Sequence, residues 1–127
     1  MKRIFLDTNI LIDLATHRER YDDAVEILED AYNKGYEICA STLSYANIAY
    51  VLRNLPQEKL YGILTLLAED IKMLPLLGEN VMEAIDNPCN DFEDMLQYRC
   101  TVTGNCEAII TNNKKDFTPF CQLPLYT

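Results

Sequence analysis

Short apolar runs alternate along the chain with stretches of helical periodicity. Arg3-Ile4-Phe5-Leu6 is closed by Asp7 and is too short for a helix, so it reads as a buried strand. Thr8-Asn9 followed by Ile10, Leu11, Ile12 and Leu14 predicts a helix entered directly from that strand. Ala24, Val25, Ile27, Leu28, Ala31 and Tyr32 recur at helical spacing and predict a second helix from about Tyr21 to Lys34, stopped by Gly35. Tyr36 to Ala40 reads as a second strand. Ser41-Thr42 can cap a helix carrying Leu43, Ala46, Asn47, Tyr50 and Val51, and Pro56 suits the first turn of another that runs to about Ala68. Ile71 to Leu74 is a third strand and Glu79 to Ile85 a short helix. The loop-like Asn87-Pro88-Cys89-Asn90 leads to Asp91, placed to cap a helix that holds Met95, Leu96 and Tyr98 and ends at Gly104. Ala108 to Thr111 is a fourth strand, and Leu123-Pro124-Leu125 a fifth at an edge, where proline is tolerated. Strands alternating with helices predict an α/β fold, a three-layer α/β/α arrangement around a mainly parallel sheet of four to five strands.

A chain of 127 residues is expected to form one domain, residues 1–127. Its longest apolar runs fall short of the roughly 18 residues of a membrane span, and the start MKRIFLDTN carries an acid where a signal peptide has its apolar core, so a cytoplasmic protein is expected. Five cysteines without a C-x-x-C pair make a poor disulfide framework, and a single histidine leaves no zinc site. Most of the cysteines are expected in the core, with Cys89 and Cys121 as candidates for a free thiol. His17, beside Arg18 and Arg20, is expected on an exposed loop. The net charge of −9 argues at first against nucleic acid, whose phosphates call for Lys and Arg. The excess is confined to two blocks, however. Asp22, Asp23, Glu26, Glu29 and Asp30 interleave with the apolar positions of the second helix and read as its solvated face. Glu83, Asp86, Asp91, Glu93 and Asp94 straddle a loop and a helix start, which a solvated face does not explain.

In an open parallel sheet, ligands bind beyond the carboxyl ends of the strands, where the strand order reverses. Asp7 ends the first strand, Asp91 and Asp94 share a face at the head of the helix before the fourth, and Asp116 follows that strand. Each has a local reading: Asp7 and Asp116 as caps, Asp91 with Asp94 as a capping box worth about 1 kcal/mol. Taken together, several carboxylates at strand ends would repel one another unless a divalent cation neutralised them. Mg²⁺ or Mn²⁺ takes such oxygen ligands and can activate water for phosphodiester hydrolysis.

At this point the sequence resembles the PIN-domain family of metal-dependent ribonucleases, which includes toxins of bacterial toxin-antitoxin pairs, over essentially its whole length. Ile4-Phe5-Leu6-Asp7-Thr8-Asn9-Ile10-Leu11-Ile12-Asp13 is similar to the family's opening strand and first acid. Asp91-Phe92-Glu93-Asp94-Met95-Leu96-Gln97 is similar to its third acidic segment, and Ile109-Ile110-Thr111-Asn112-Asn113-Lys114-Lys115-Asp116-Phe117 to its T-x-N-x-x-D-F segment. The resemblance implies Asp7, Asp94 and Asp116 as ligands of Mg²⁺ or Mn²⁺, and Asp91 as an added acid that ligates or orients the attacking water. It makes Thr8, Asn9 and Asn113 supports of the site or contacts to phosphate. It also implies an RNA substrate, an antitoxin partner and a homodimer. One departure stands out. The family usually carries Glu on the helix after the second strand, and here Asn47 stands there, able to ligate a cation but not to act as a base. Asn47 and Ser44, one turn apart, could both face the site; the alternative for Asn47 is a buried amide bonded to backbone. A PIN module that binds RNA or a protein without cutting therefore stays open as a second reading. A haloacid-dehalogenase type phosphatase ranks lower, because Asp7-Thr8-Asn9 lacks the second acid of D-x-D. Lys114, Lys115, Arg99 and Lys2 are the basic groups expected nearest the site.

Overall fold

The computed structural model describes residues 2–16 and 21–126, so His17, Arg18 and Arg20 lie outside the described residues. Five strands, β1 (Arg3–Leu6), β2 (Glu37–Ser41), β3 (Lys72–Leu74), β4 (Ala108–Ile110) and β5 (Leu125–Tyr126), alternate with helices. The helices are α1 (Thr8–Thr16), α2 (Tyr21–Asn33), α3 (Thr42–Val51), α4 (Gln57–Asp70), α5 (Gly78–Asp86), α6 (Phe92–Thr103) and α7 (Lys114–Phe117). The strands form one sheet in the order β3-β2-β1-β4-β5, with every pairing parallel. Ile4 pairs with Ile38 on one side and Ala108 on the other, so β1 is central.

The alternation of side chains along each strand divides the core in two. Ile4, Leu6, Ala40, Ala108 and Ile110 belong to one buried cluster with Ile10, Leu11, Ala24, Ala31, Ile48 and Leu67, from α1 to α4. Phe5, Cys39 and Ile109 point the other way and join Ala84, Met95, Leu96, Tyr98 and Phe117, from α5 to α7. These are the three layers expected from the sequence. Cys39, Cys100 and Cys106 are buried thiols, while Cys89 and Cys121 are half-buried and free. All five acids of the first acidic block are exposed, as a solvated helix face requires. Among the described residues no helix is long and apolar enough to cross a membrane.

Several element boundaries differ from expectation by a residue or two, as in β3, which starts at Lys72, α5, which runs from Gly78 to Asp86, and β4, which ends at Ile110; β2 and β5 differ for identifiable reasons. Strand β2 starts at Glu37, not Tyr36, because the Tyr36 N–H is spent on closing α2. It donates to the Ala31 carbonyl at 3.0 Å, while Gly35, at φ +81°, donates to Tyr32 at 3.0 Å. Gly35→Ala is therefore expected to cost about 1 kcal/mol, read as a lower urea midpoint at unchanged slope. Strand β5 starts after Pro124, which accepts a bond from Ile109 N–H but has no N–H to give, so the edge ladder continues at Tyr126, which accepts from Thr111. The short α7 is an element that the sequence pattern did not announce.

The sheet order reverses between β1, which leads outward to β2, and β4. Their carboxyl ends lie side by side, the Asp7 N–H donating to the Ile110 carbonyl at 2.9 Å. A ligand site on this fold belongs there.

Candidate functional site

Asp7 leaves β1 directly into that switch point and is buried, 5% exposed. Its Oδ1 accepts from the Thr8 N–H at 2.9 Å and its Oδ2 from the Thr111 hydroxyl, just past β4, at 2.8 Å. The carboxylate is thereby clamped across the two central strands. Burial pushes its pKa up; the bonds from Thr111 and Thr8 pull it down, and Asp116 and Asp91 add repulsion.

Asp91 caps α6, its Oδ1 accepting from the Glu93 N–H at 2.9 Å. The local capping reading is thus correct for this residue, and it coexists with a place in the site. Asp94 faces the same cleft. Burial and then repulsion from Asp91, Asp7, Asp116 and Glu93 push its pKa up to about 7. Asp7, Asp91, Asp94 and Asp116 all line one cleft of about 280 Å³, together with Thr8, Asn9, Asn47 and Asn113. The sequence-predicted site residues are therefore brought together.

Glu93 also lines the cleft, making five carboxylates with no Lys or Arg among the described lining residues. Burial, Asp91 and Asp7 raise its pKa as well. An oxygen-rich donor set, with no base among the described lining residues of the cleft, fits a hard divalent cation. Among the described residues, no three acids, cysteines or histidines stand close enough to enclose an ion as placed, so such a cation would keep several of its waters, as Mg²⁺ commonly does.

The PIN domain family model matches residues 3–115. The chain belongs to the PIN domain family. It is 22% identical over 124 residues to Ribonuclease VapC1 of Aquifex aeolicus (strain VF5), covering 93% of this chain and 86% of the relative. Among solved structures it is similar to VapBC2 from Rickettsia felis bound to a DNA fragment from their promoter. There the TM-score is 0.72 at 20% identity, covering 97% of this chain and 96% of that one. It is also similar to VapC20 of Mycobacterium tuberculosis, a sarcin-ricin loop cleaving toxin, with TM-score 0.63 at 12% identity over 84% and 86% of the two chains.

Several groups that support the site in this PIN domain were not singled out from the sequence. Gln97, fully buried on α6, donates from Nε2 to the Thr8 hydroxyl at 2.9 Å and to the Ser44 hydroxyl at 3.0 Å. The two hydroxyl oxygens are 2.8 Å apart. Thr8 thus spends its hydroxyl inward, and Ser44 is buried beneath the cleft instead of facing it with Asn47. Asn47 is not an amide bonded to backbone: its Nδ2 donates to Glu93 Oε1 at 2.6 Å. On α1, the buried Asp13 accepts from Asn112 Nδ2 at 2.9 Å, tying the loop after β4 to that helix. Of the expected basic groups, Lys115 and Arg99 line a second cavity that adjoins the acids. Lys2 precedes β1 and so stands at the opposite end of the sheet. Arg53, not anticipated, lies 4.2 Å over the ring of Tyr50, which lines the rim of the cleft.

Proposed function

We propose that this PIN domain is a ribonuclease dependent on a divalent cation, the toxin-like member of a pair with an antitoxin. The observation that carries the reading is the convergence of five carboxylates from three segments of chain on one cleft at the switch point. The family membership and the likeness to Ribonuclease VapC1 and to VapC20 support RNA as the substrate class. PIN ribonucleases in general depend on a divalent metal.

In this reading Asp7, Asp94 and Asp116 hold Mg²⁺ or Mn²⁺. The bound cation supplies a water of lowered pKa and a positive charge where phosphate docks. Thr111 and the Thr8 N–H fix the Asp7 carboxylate. Asp91 orients water, and Asn9 and Asn113 offer amides to the phosphate. Asn47 positions Glu93 instead of supplying a carboxylate itself, so the charge missing from α3 is delivered by α6. A single domain over residues 1–127, a cytoplasmic location and a homodimer belong to the same proposal. The VapBC complexes support the antitoxin partner.

The purified protein is expected to cut RNA with Mn²⁺, offered both structured and unstructured substrates, and to stop when chelator is added. No Mn²⁺-dependent cleavage of either substrate refutes the reading. The second reading, a module that binds without cutting, draws on Asn47 and on the acidic surface. Glu93→Gln separates the two: loss of the carboxylate that Asn47 holds is expected to lower the cleavage rate about 10- to 100-fold, whereas a module that does not cut has no rate to lose.

A further inference from the structure

The acid cleft has a larger neighbour. A cavity of about 790 Å³ opens between the α5–α6 loop, α6 and the segment after α7, and Asp91, Asp94 and Asp116 line both spaces. These three acids are a shared wall, so the cavity adjoins the cleft directly. The size falls within the roughly 300–1,000 Å³ usual for small-molecule sites, while the acid cleft is the smaller space at about 280 Å³.

The remaining walls have a particular chemistry. Tyr98, Pro119 and Phe120 give apolar surface, the rings of Tyr98 and Phe120 packing at 5.4 Å. Asn87 and Gln122 bring exposed amides, with Asn87 Nδ2 already donating to the Glu83 carbonyl at 2.8 Å. Arg99 brings a guanidinium that lies 5.6 Å over the Tyr98 ring, with Nη1 3.8 Å from Glu83. Asp86, with the three shared acids, outnumbers Arg99 and Lys115, so the cavity disfavours an anion such as a second phosphate. A flat, neutral ring with both donors and acceptors on its edge satisfies all of these features.

We propose that this cavity is a nucleobase subsite that receives a guanine next to the phosphodiester held at the acid cleft. The proposal rests on the ribonuclease reading for the source of the base, but not for the chemistry of binding. Guanine presents the O6 and N7 acceptors that arginine commonly takes, and N1–H and N2–H donors for the carboxylate of Asp86 or the amide oxygens. Apolar faces at Phe120 and Pro119 suit stacking of an unpaired base. The subsite makes this chain a cutter beside unpaired guanine.

The test uses the four ribonucleosides, which carry no phosphate and need no cation, titrated into the isotope-labelled protein in chelator and followed by NMR. Guanosine is expected to move the backbone resonances of Arg99 and Gln122 more than adenosine, cytidine or uridine does. Its affinity should fall about fivefold in Arg99→Gln, for one lost hydrogen bond, and at least as far in Gln122→Trp, whose indole fills the cavity from an exposed position. Should Arg99→Gln fail to fold, Gln122→Trp still decides, since only the backbone N–H of Gln122 is engaged, with the Tyr98 hydroxyl. Guanosine that leaves these resonances unmoved, or binds both variants as tightly, overturns the subsite even if RNA is cut. A Lys/Arg peptide that moves them where no nucleoside does overturns it as well. Guanosine seated there in a protein that cuts no RNA upholds the subsite and refutes the ribonuclease reading.

Discussion

Asp94→Asn is expected to cut RNA roughly a thousandfold more slowly than the unsubstituted protein and, in chelator, to melt at a higher temperature. Both effects follow from one arrangement. Asp94 sits half-buried among Asp91, Asp7, Asp116 and Glu93, and burial with their repulsion pushes its pKa up to about 7, so the cleft resists another negative charge. The amide keeps the shape and removes that charge, which would relieve the fold and, on the proposed function, take a ligand from the cation. Asp7→Asn is expected to lose cleavage to a similar degree without the thermal gain. Both oxygens of Asp7 accept hydrogen bonds, from Thr8 N–H and from Thr111. An amide has only one oxygen, and its NH₂ must then face one of those donors. Paired cleavage assays and thermal melts on the two variants check this. Equal melting shifts would mean that Asp7 is not clamped as described, and unchanged cleavage would mean that neither acid holds the cation.

Raising the pH is expected to destabilise the metal-free protein. Asp94 holds its proton up to about pH 7 when folded, but only to its ordinary value of 3.8 when unfolded. Between those values the native state binds more protons, so stability is greatest below pH 4 as far as this group is concerned and is lost as pH rises through 7. Asp7 and Glu93, shifted the same way, add to the slope. A divalent cation held by the proposed site would bind the ionised, folded form and is expected to reverse the trend. With solvent access to Asp94 discounted, Mn²⁺ at pH 8 is expected to raise the melting temperature by about 5 °C, and by little at pH 5. Melting curves across pH with and without Mn²⁺ measure it. A shift equally large at both pH values would place the binding elsewhere than on these acids.

What could be read from the sequence is what local physics decides. Asp7 closing a four-residue apolar run, Gly35 stopping α2 and Asp91 capping α6 are each settled within a few residues, and all three stand where the pattern put them. The four candidate acids converge because the end of β1, the head of α6 and the segment after β4 lie together. The supporting contacts were not legible because spacing carries no trace of them. Gln97 meets Thr8 across 89 positions and Ser44 across 53, and Asn47 meets Glu93 across 46. The one local sign was a glutamine set among Met95, Leu96 and Tyr98 on a buried helix face, an amide that must find partners inside. Helix α7 is four residues long, too short to express a period. The charge of −9, which at first argued against nucleic acid, divides into an exposed face on α2 and a second block of which Asp91, Glu93 and Asp94 line the cleft.

Anomalous diffraction at the manganese edge, from crystals grown with Mn²⁺, tests the central claim most directly. The account predicts a peak within reach of the carboxylates of Asp7 and Asp94, and its loss in Asp94→Asn crystals grown in the same way. A cleft without a peak in Mn²⁺-saturated crystals, or a peak that survives Asp94→Asn undiminished, contradicts it.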